Sequence, residues 1–234
     1  MTLMEEAIRG RVPPSIAQVA GREGIDPEKL ARLVAAGRVV IPANICRAEL
    51  DPVGIGEMLT VKVNINLGTS QNLDSPEAEV EKALAAVEAG TDALMDLSTG
   101  GDLDLVRRRI LASVKVPLGT VPIYQAAVQK ELTCQGMFDA LERQARDGVD
   151  FVTVHAGVNK ISLERLRQDP RLMGVVSRGG SLTMKYIADT GEENPYYQES
   201  DYLLEMAREY DLTLSLGDGL RPGCIEDASD RAKY

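Results

Sequence analysis

The sequence has few of the residues on which metal and disulfide sites depend. Its 234 residues include one histidine, His155, and three cysteines, Cys46, Cys134 and Cys224, which lie far apart along the chain. An odd number of scattered cysteines fits neither a disulfide framework nor a C-x2-C metal knuckle, so we expect reduced thiols. A single histidine likewise argues against a histidine-rich zinc site within this chain.

The chain also lacks an excess of positive charge and any long apolar run. Lysine and arginine total 26 against 36 acidic residues, a formal charge of -10, which argues against nucleic acid or an anionic membrane as a partner. No stretch approaches the roughly 20 apolar residues that cross a bilayer. Glu5 and Glu6 stand where a secretory segment would be apolar. We therefore expect a cytoplasmic protein.

The residues that are present predict a globular α/β protein. Hydrophobic residues make up 44% of the chain and charged residues 26%, which is enough to bury a substantial core. Short amphipathic patterns over residues 4–9, 14–23 and 26–36 predict a small helical lead-in, followed by a connector or short hairpin over 39–42 and 51–58. We expect one domain over residues 1–60 and another over 61–234.

From residue 62 onward, short apolar runs alternate with helical periods, as parallel βαβ units do. The predicted strands are 62–67, 92–97, 116–121, 150–155, 174–177 and 212–216. Helices are predicted to begin near Ser75, Asp102, Thr133, Ser162, Met184 and Glu199. The Ser75-Pro76-Glu77 start combines a capping serine, a first-turn proline and an acid that complements the helix dipole.

Gly-rich polar segments follow all six predicted strands, which favours a (β/α)8 barrel, whose strand ends meet at one mouth, over a doubly wound sheet. Six of eight βα units are accounted for, so we expect an incomplete TIM-like barrel with exposed strand edges. Such a chain should be unstable or prone to aggregation unless another chain completes it.

Several strand-end residues have chemistry suited to a binding site. His155 closes one strand and could act in hydrogen bonding or acid/base chemistry, or be a buried structural histidine. Residues 177–181, SRGGS, could cradle a phosphate or form a plain Gly-rich turn, and Arg221 with Asp218 adds a second cation beside a carboxylate.

Other strand-end residues have simpler interpretations beside the functional one. Met95 could fill the core, Tyr124 could lie at a rim, and Asn66 could form a turn. Asp96, within an apolar strand, must be paired or face the mouth.

Four phrases together resemble the phosphomethylpyrimidine synthase family: MDLSTGG (95–101), GTVPIYQA (119–126), SRGGS (177–181) and SLGDGLRPG (215–223). GVDFVTVHAGV (148–158) supports the resemblance, which extends over about residues 41–230. It implies a radical reaction of thiamine biosynthesis. In it a [4Fe-4S] cluster reduces S-adenosylmethionine, and the resulting radical rearranges 5-aminoimidazole ribonucleotide into the hydroxymethylpyrimidine phosphate.

The same resemblance implies substrate contacts at eleven positions: Asn66, Met95, Tyr124, His155, Ser177, Arg178, Gly179, Asp218, Gly219, Leu220 and Arg221. The family's zinc-binding histidines and its C-x2-C-x4-C cluster ligands have no counterpart in these 234 residues, and Cys46, Cys134 and Cys224 do not reproduce their spacing. We therefore expect an N-terminal fragment that binds neither cluster nor zinc and is inactive alone. The resemblance implies a homodimer for the full-length protein.

Three alternatives remain at this point. Hydroxybenzimidazole synthase, a paralogue, uses the same nucleotide and radical to make the lower base of an anaerobic cobamide. A noncatalytic nucleotide-binding or assembly protein would be a stable partial barrel. A phosphate-binding aldolase is disfavoured because Lys62 and Lys185 do not lie at a predicted strand end.

Overall fold

A computed structural model describes residues 1–47 and 49–232 of the chain and shows an α/β fold. Within these residues the chain forms eleven helices and seven strands. The helices are α1 (Leu3–Ile8), α2 (Pro14–Glu23), α3 (Pro27–Ala35), α4 (Pro76–Glu88), α5 (Leu103–Ser113), α6 (Pro122–Val128), α7 (Cys134–Asp147), α8 (Lys160–Gln168), α9 (Arg178–Thr190), α10 (Pro195–Gln198) and α11 (Ser200–Tyr210). The strands are β1 (Val39–Val40), β2 (Ile55–Gly56), β3 (Asn64–Leu67), β4 (Ala93–Asp96), β5 (Leu118–Thr120), β6 (Phe151–Val154) and β7 (Thr213–Leu216).

The helical lead-in and the short hairpin are confirmed. Asp26 caps α3 by accepting a hydrogen bond from the Lys29 amide at 2.8 Å. This bond satisfies one of the backbone N–H groups that have no intrahelical partner at the start of a helix. β1 and β2 then pair antiparallel, with Val39 opposite Gly56. The predicted domain boundary at residue 60 stays a prediction.

Five of the strands form one sheet with the order β3-β4-β5-β6-β7. Strand β3 pairs in parallel with β4, β4 with β5, and β5 with β6. The strand predicted over 174–177 was wrong, because β7 pairs directly with β6 and leaves this segment without a ladder partner. Five βα strands therefore stand where six were expected.

One helix start and two additional helices differ from the prediction. α9 begins at Arg178 and not near Met184, because Ser177 caps it by accepting a hydrogen bond from the Gly180 amide at 3.2 Å. α6 and α10 were not predicted. Both begin with a proline at the first helical position, where the missing N–H costs nothing.

The chain divides into two compact units. Unit 1 contains Met1–Thr120, Glu142–Val152 and Glu205–Thr213, and unit 2 contains Val121–Leu141, Thr153–Leu204 and Leu214–Tyr234. In unit 1, α4 and α5 pack on one face of β3, β4 and β5 through a core that includes Leu67, Leu94 and Leu118. In unit 2, α9 contributes Met184 and Ile187 to a core with Leu220.

Across the described residues, every helix is too short or too polar to cross a membrane.

Candidate functional site

Two of the predicted site residues, Asn66 and Met95, lie side by side in unit 1. They are register partners on the adjacent strands β3 and β4. Side chains alternate between the two faces of a strand, so both project from the face opposite Leu67 and Leu94, which pack on α4 and α5. Asn66 is exposed and Met95 is 8% exposed. The structure thus places this pair on the sheet face opposite α4 and α5.

Asp96 lies on the other face of β4 and is paired. Its carboxylate accepts hydrogen bonds from the Ser98 hydroxyl at 2.5 Å and the Ser98 amide at 2.9 Å. Burial raises the pKa of Asp96, and the bonds from Ser98 oppose that rise. The Ser98 oxygen in turn accepts from the Thr69 amide at 3.0 Å, so Asp96 ties together the loops that follow β3 and β4.

The imidazole of His155, in unit 2, is closely packed against two glycine residues. The residue is 4% exposed. A Cβ atom added at Gly179 would overlap the imidazole, and one added at Gly217 would lie 2.8 Å from Nε2. The ring therefore occupies space that only glycine leaves open on both sides.

The charge state of His155 follows from this confinement. Burial lowers the pKa of His155 to about 4, the Arg221 guanidinium acts in the same direction, and Asp218 opposes them. The imidazole is therefore neutral at pH 7. In the described part of the chain its buried Nδ1 atom has no hydrogen-bond partner, which is an uncommon condition for a buried polar atom and marks it for a ligand or water.

The SRGGS segment forms the first turn of α9. Gly180 allows the loop over residues 217–221 to approach α9, since a Cβ atom at Gly180 would overlap the carbonyl oxygen of Gly219. Gly219 is equally restricted, because its own Cβ atom would overlap Val158. Glycines at these positions bring residues 217–221 against the amide-bearing end of a 13-residue helix, where partial positive charge favours anions.

The loop over 217–221 folds on itself through Asp218. The Asp218 carboxylate accepts from the Leu220 amide at 3.1 Å, and its carbonyl oxygen accepts from the Arg221 guanidinium at 3.2 Å. Leu220 is buried in the unit 2 core with Val158. The side chains of Asp218 and Arg221 remain exposed, so the loop presents one cation and one carboxylate.

Tyr124 lies on α6 and contacts the start of α9. The Arg178 guanidinium carbon is 5.3 Å from the centre of the Tyr124 ring, a cation–π distance. Burial raises the pKa of the Tyr124 hydroxyl, while Arg178, Arg221 and the Gly179 amide oppose that rise. Tyr124 therefore lies within the electrostatic influence of both arginines.

Nine of the eleven predicted residues thus belong to unit 2, and together they fit an anionic ligand. Two exposed guanidinium groups, Arg178 and Arg221, form no ion pair with a carboxylate within the described ranges. They flank a helix start, a neutral imidazole and a tyrosine hydroxyl. Guanidinium groups can bind a phosphate through two parallel hydrogen bonds, and the helix amides add to the same attraction.

Two residues near this site were missed from the sequence. Gly217 makes room for His155, and Asn194 contacts the turn that follows His155. The Asn194-Pro195 pair did carry a local signal, since an asparagine cap followed by a first-turn proline is typical of a helix start. No local signal indicated that its side chain reaches residues 155–158.

The three cysteines do not fit a metal cluster. All are free thiols, Cys46 in unit 1 and Cys134 and Cys224 in unit 2. Over residues 1–47 and 49–232, no group of three or more His, Cys, Asp or Glu side chains is arranged to hold a metal ion. The described residues therefore do not fit an iron–sulfur cluster or a zinc ion.

Comparison with known proteins gives one family. The model of the radical SAM ThiC family matches residues 2–234. The chain is 58% identical to phosphomethylpyrimidine synthase 2 of Methanosarcina barkeri, covering 100% of this chain and 55% of that protein. It is 53% identical to the phosphomethylpyrimidine synthase of Archaeoglobus fulgidus, covering 100% of this chain and 56% of that one. The chain thus spans about half the length of the curated relatives it matches, and it belongs to the radical SAM ThiC family.

Proposed function

We propose that this chain supplies the ribonucleotide-binding part of a phosphomethylpyrimidine synthase. The proposed whole-protein reaction converts 5-aminoimidazole ribonucleotide into the hydroxymethylpyrimidine phosphate of thiamine biosynthesis. The relatives from Methanosarcina barkeri and Archaeoglobus fulgidus are named phosphomethylpyrimidine synthases, which supports the pyrimidine product over the benzimidazole alternative. An aldolase is disfavoured, because Lys62 pairs with Glu23 at 2.7 Å and Lys185 with Asp189 at 2.5 Å, whereas a Schiff-base lysine must be a neutral amine.

One observation carries the proposal: in unit 2 the start of α9, the 217–221 loop and His155 lie against one another. The substrate is a phosphate ester of ribose that bears a nitrogen heterocycle. Arg178 and Arg221 would hold its phosphate, and the Asp218 carboxylate would accept hydrogen bonds from a ribose hydroxyl or the ring amine. The buried Nδ1 of His155 offers one further acceptor or donor, depending on its tautomer.

The described residues would bind and orient the substrate and exclude water from it. The family name implies S-adenosylmethionine and an iron–sulfur cluster in the full-length protein, and we propose zinc on the family resemblance. Bound S-adenosylmethionine supplies radical chemistry in such enzymes.

We also propose that the sheet belongs to a (β/α)8 barrel. Each helix-flanked parallel strand fits that plan, and both outer strands have unpaired edges. Leu216 on β7 is 77% exposed, and Val63 precedes β3 with an exposed side chain. Three further βα units, which would bring the five strands to eight, would cover these edges. We propose a homodimer for the full-length protein, which light scattering of that protein would test.

Calorimetric titration of the chain tests the binding proposal. We expect 5-aminoimidazole ribonucleotide to bind more tightly than ribose 5-phosphate, and ribose 5-phosphate more tightly than inorganic phosphate. Arg178→Gln and Arg221→Gln should each weaken nucleotide binding by about tenfold or more, because each removes a charge-assisted contact of about 1.5–3 kcal/mol. Arg167 is an exposed arginine on α8 of the same unit and serves as the control. Arg167→Gln should change the affinity by less than about twofold.

Two outcomes would contradict the proposal. A folded chain that binds none of the three ligands has no nucleotide site of its own. Equal losses in all three arginine variants would indicate only a general attraction between a cationic surface and an anion.

A further inference from the structure

We propose that Asn194 is a positioning residue that sets the orientation of His155 in the nucleotide site, an inference that rests on the proposed function and deepens it. The hydrogen bonds of its side chain go to main-chain groups of His155, Ala156, Val158 and Tyr196. It acts through the backbone of the turn that carries His155.

Asn194 is fully buried, and both polar atoms of its side chain are hydrogen-bonded. Its Nδ2 group donates to the carbonyl oxygens of His155 at 3.0 Å, Val158 at 2.7 Å and Ala156 at 3.4 Å. Its Oδ1 atom accepts from the Tyr196 amide at 3.1 Å, which caps α10. One amide group therefore joins the start of α10 to three carbonyl groups of a turn that lies 36 to 39 residues earlier.

These three carbonyl groups have few other partners. The His155 oxygen also accepts from the Val158 amide, at a long 3.3 Å, so the turn has little hydrogen bonding of its own. Buried carbonyl groups need donors, and Asn194 supplies them from outside the turn. The position of the His155 backbone is therefore set by α10 more than by its own strand end.

A small displacement of this backbone would matter because the imidazole has no free space. Gly179 lies against one side of the ring and Gly217 is close to Nε2. The charged groups that face the ring are Arg221 and Asp218. A shift of the turn would move the ring relative to both glycines and would open it to water, so Nδ1 would lose its fixed direction.

His155 is the only histidine of the chain, so its imidazole gives a single set of NMR signals that reports on this geometry. Asn194→Ser keeps a cap for α10 and one hydroxyl donor, and Asn194→Ala keeps neither. Both substitutions are uncharged, so neither introduces a new charge near the imidazole. Asn159→Ala is the matched control. Asn159 caps α8 in the same unit by accepting from the Ser162 amide at 2.9 Å, and its side chain makes no such bond to residues 155–158.

The full chain and each variant would be titrated with pH by NMR and with 5-aminoimidazole ribonucleotide by calorimetry. We expect the apparent pKa of His155 to rise by about one unit or more in Asn194→Ser, and further in Asn194→Ala, as water reaches the ring. Nucleotide affinity should fall by about tenfold, a loss typical of misplaced supporting contacts. Asn159→Ala should lower the melting temperature while leaving the His155 titration and the affinity unchanged.

Each outcome decides the proposal. If Asn194→Ser lowers stability as Asn159→Ala does but leaves the His155 titration unchanged, Asn194 is only structural and the proposal is overturned. Failure of both Asn194 variants to fold, under conditions where Asn159→Ala folds, overturns it in the same way. If the His155 titration moves but neither the native chain nor any variant binds the nucleotide, the positioning role stands and the proposed function fails.

Discussion

The low pKa of His155 predicts a specific dependence of stability on pH. The folded-state pKa is about 4, against 6.5 for an unperturbed histidine. Between these values the unfolded chain binds a proton at this residue and the folded chain does not, so acid favours the unfolded chain. The stabilising contribution of neutral His155 is fully present above pH 6.5 and is lost as the pH falls toward 4.

The magnitude follows from the two pKa values. Going from pH 7 to pH 5, the linkage relation gives a loss of about 2 kcal/mol in the free energy of unfolding from this residue alone. That is a large fraction of the 5–15 kcal/mol typical of a folded domain. Asp150 acts in the opposite direction, because burial raises its pKa to about 6 and the folded chain therefore gains stability as its carboxylate is protonated.

Urea unfolding at pH 7 and pH 5 measures the effect when the native chain is compared with His155→Asn. Asp150 and all other acids titrate in both proteins, so their contributions cancel in the difference. We expect the native chain to lose about 2 kcal/mol more than the variant over this interval. Equal pH dependence in the two proteins, or an NMR titration of His155 with a midpoint above pH 6, would refute the reasoning.

Three further changes test the packing and the caps by chemical unfolding. Gly179→Ala should lower the free energy of unfolding by about 1–3 kcal/mol, because the added methyl group overlaps the His155 ring. Gly157→Ala is the control and should be close to neutral, because a Cβ atom there meets nothing within 4 Å. Equal effects of the two substitutions would contradict the close approach of Gly179 to the ring. Asp26→Ala should cost about 1 kcal/mol through loss of the α3 cap, and an unchanged midpoint would show that this cap contributes nothing. Asn44→Ala should lower the free energy of unfolding by about 2 kcal/mol or more, because the buried Asn44 amide donates to two carbonyl groups at 2.7 and 2.8 Å. A loss below about 0.5 kcal/mol would mean that water replaces those hydrogen bonds.

Features governed by nearby residues were predictable from the sequence. Asp26-Pro27 and Ser75-Pro76 mark helix starts because a side-chain cap and a proline act within one turn. The strands β3, β4, β5 and β6 were found because their apolar runs are short and separated by complete helical periods. Segment 174–177 has the same local composition, yet it forms no strand, since pairing depends on which neighbour occupies the adjacent edge.

The sequence predicted which strand residues share a face of the sheet, but not which face packs against the helices. Alternation separates Met95 from Asp96, but the sequence left open which of the two faces the helices. The packing of α4 and α5 on Leu94 settles this and assigns Asp96 to the helix side, where Ser98 satisfies it.

By itself, the sequence determined the α/β class, most helix starts and the positions of Asn66, Met95, His155 and Asp218 at or near strand ends, because caps, periodicity and turn residues act over a few positions. Tertiary structure alone decided that Gly179 and Gly217 enclose His155, that this leaves its Nδ1 without a partner in the described residues, and that Asn194 anchors its turn. These contacts join segments 24 to 62 residues apart. Their energies depend on distance and burial in three dimensions, which no local pattern of residues encodes.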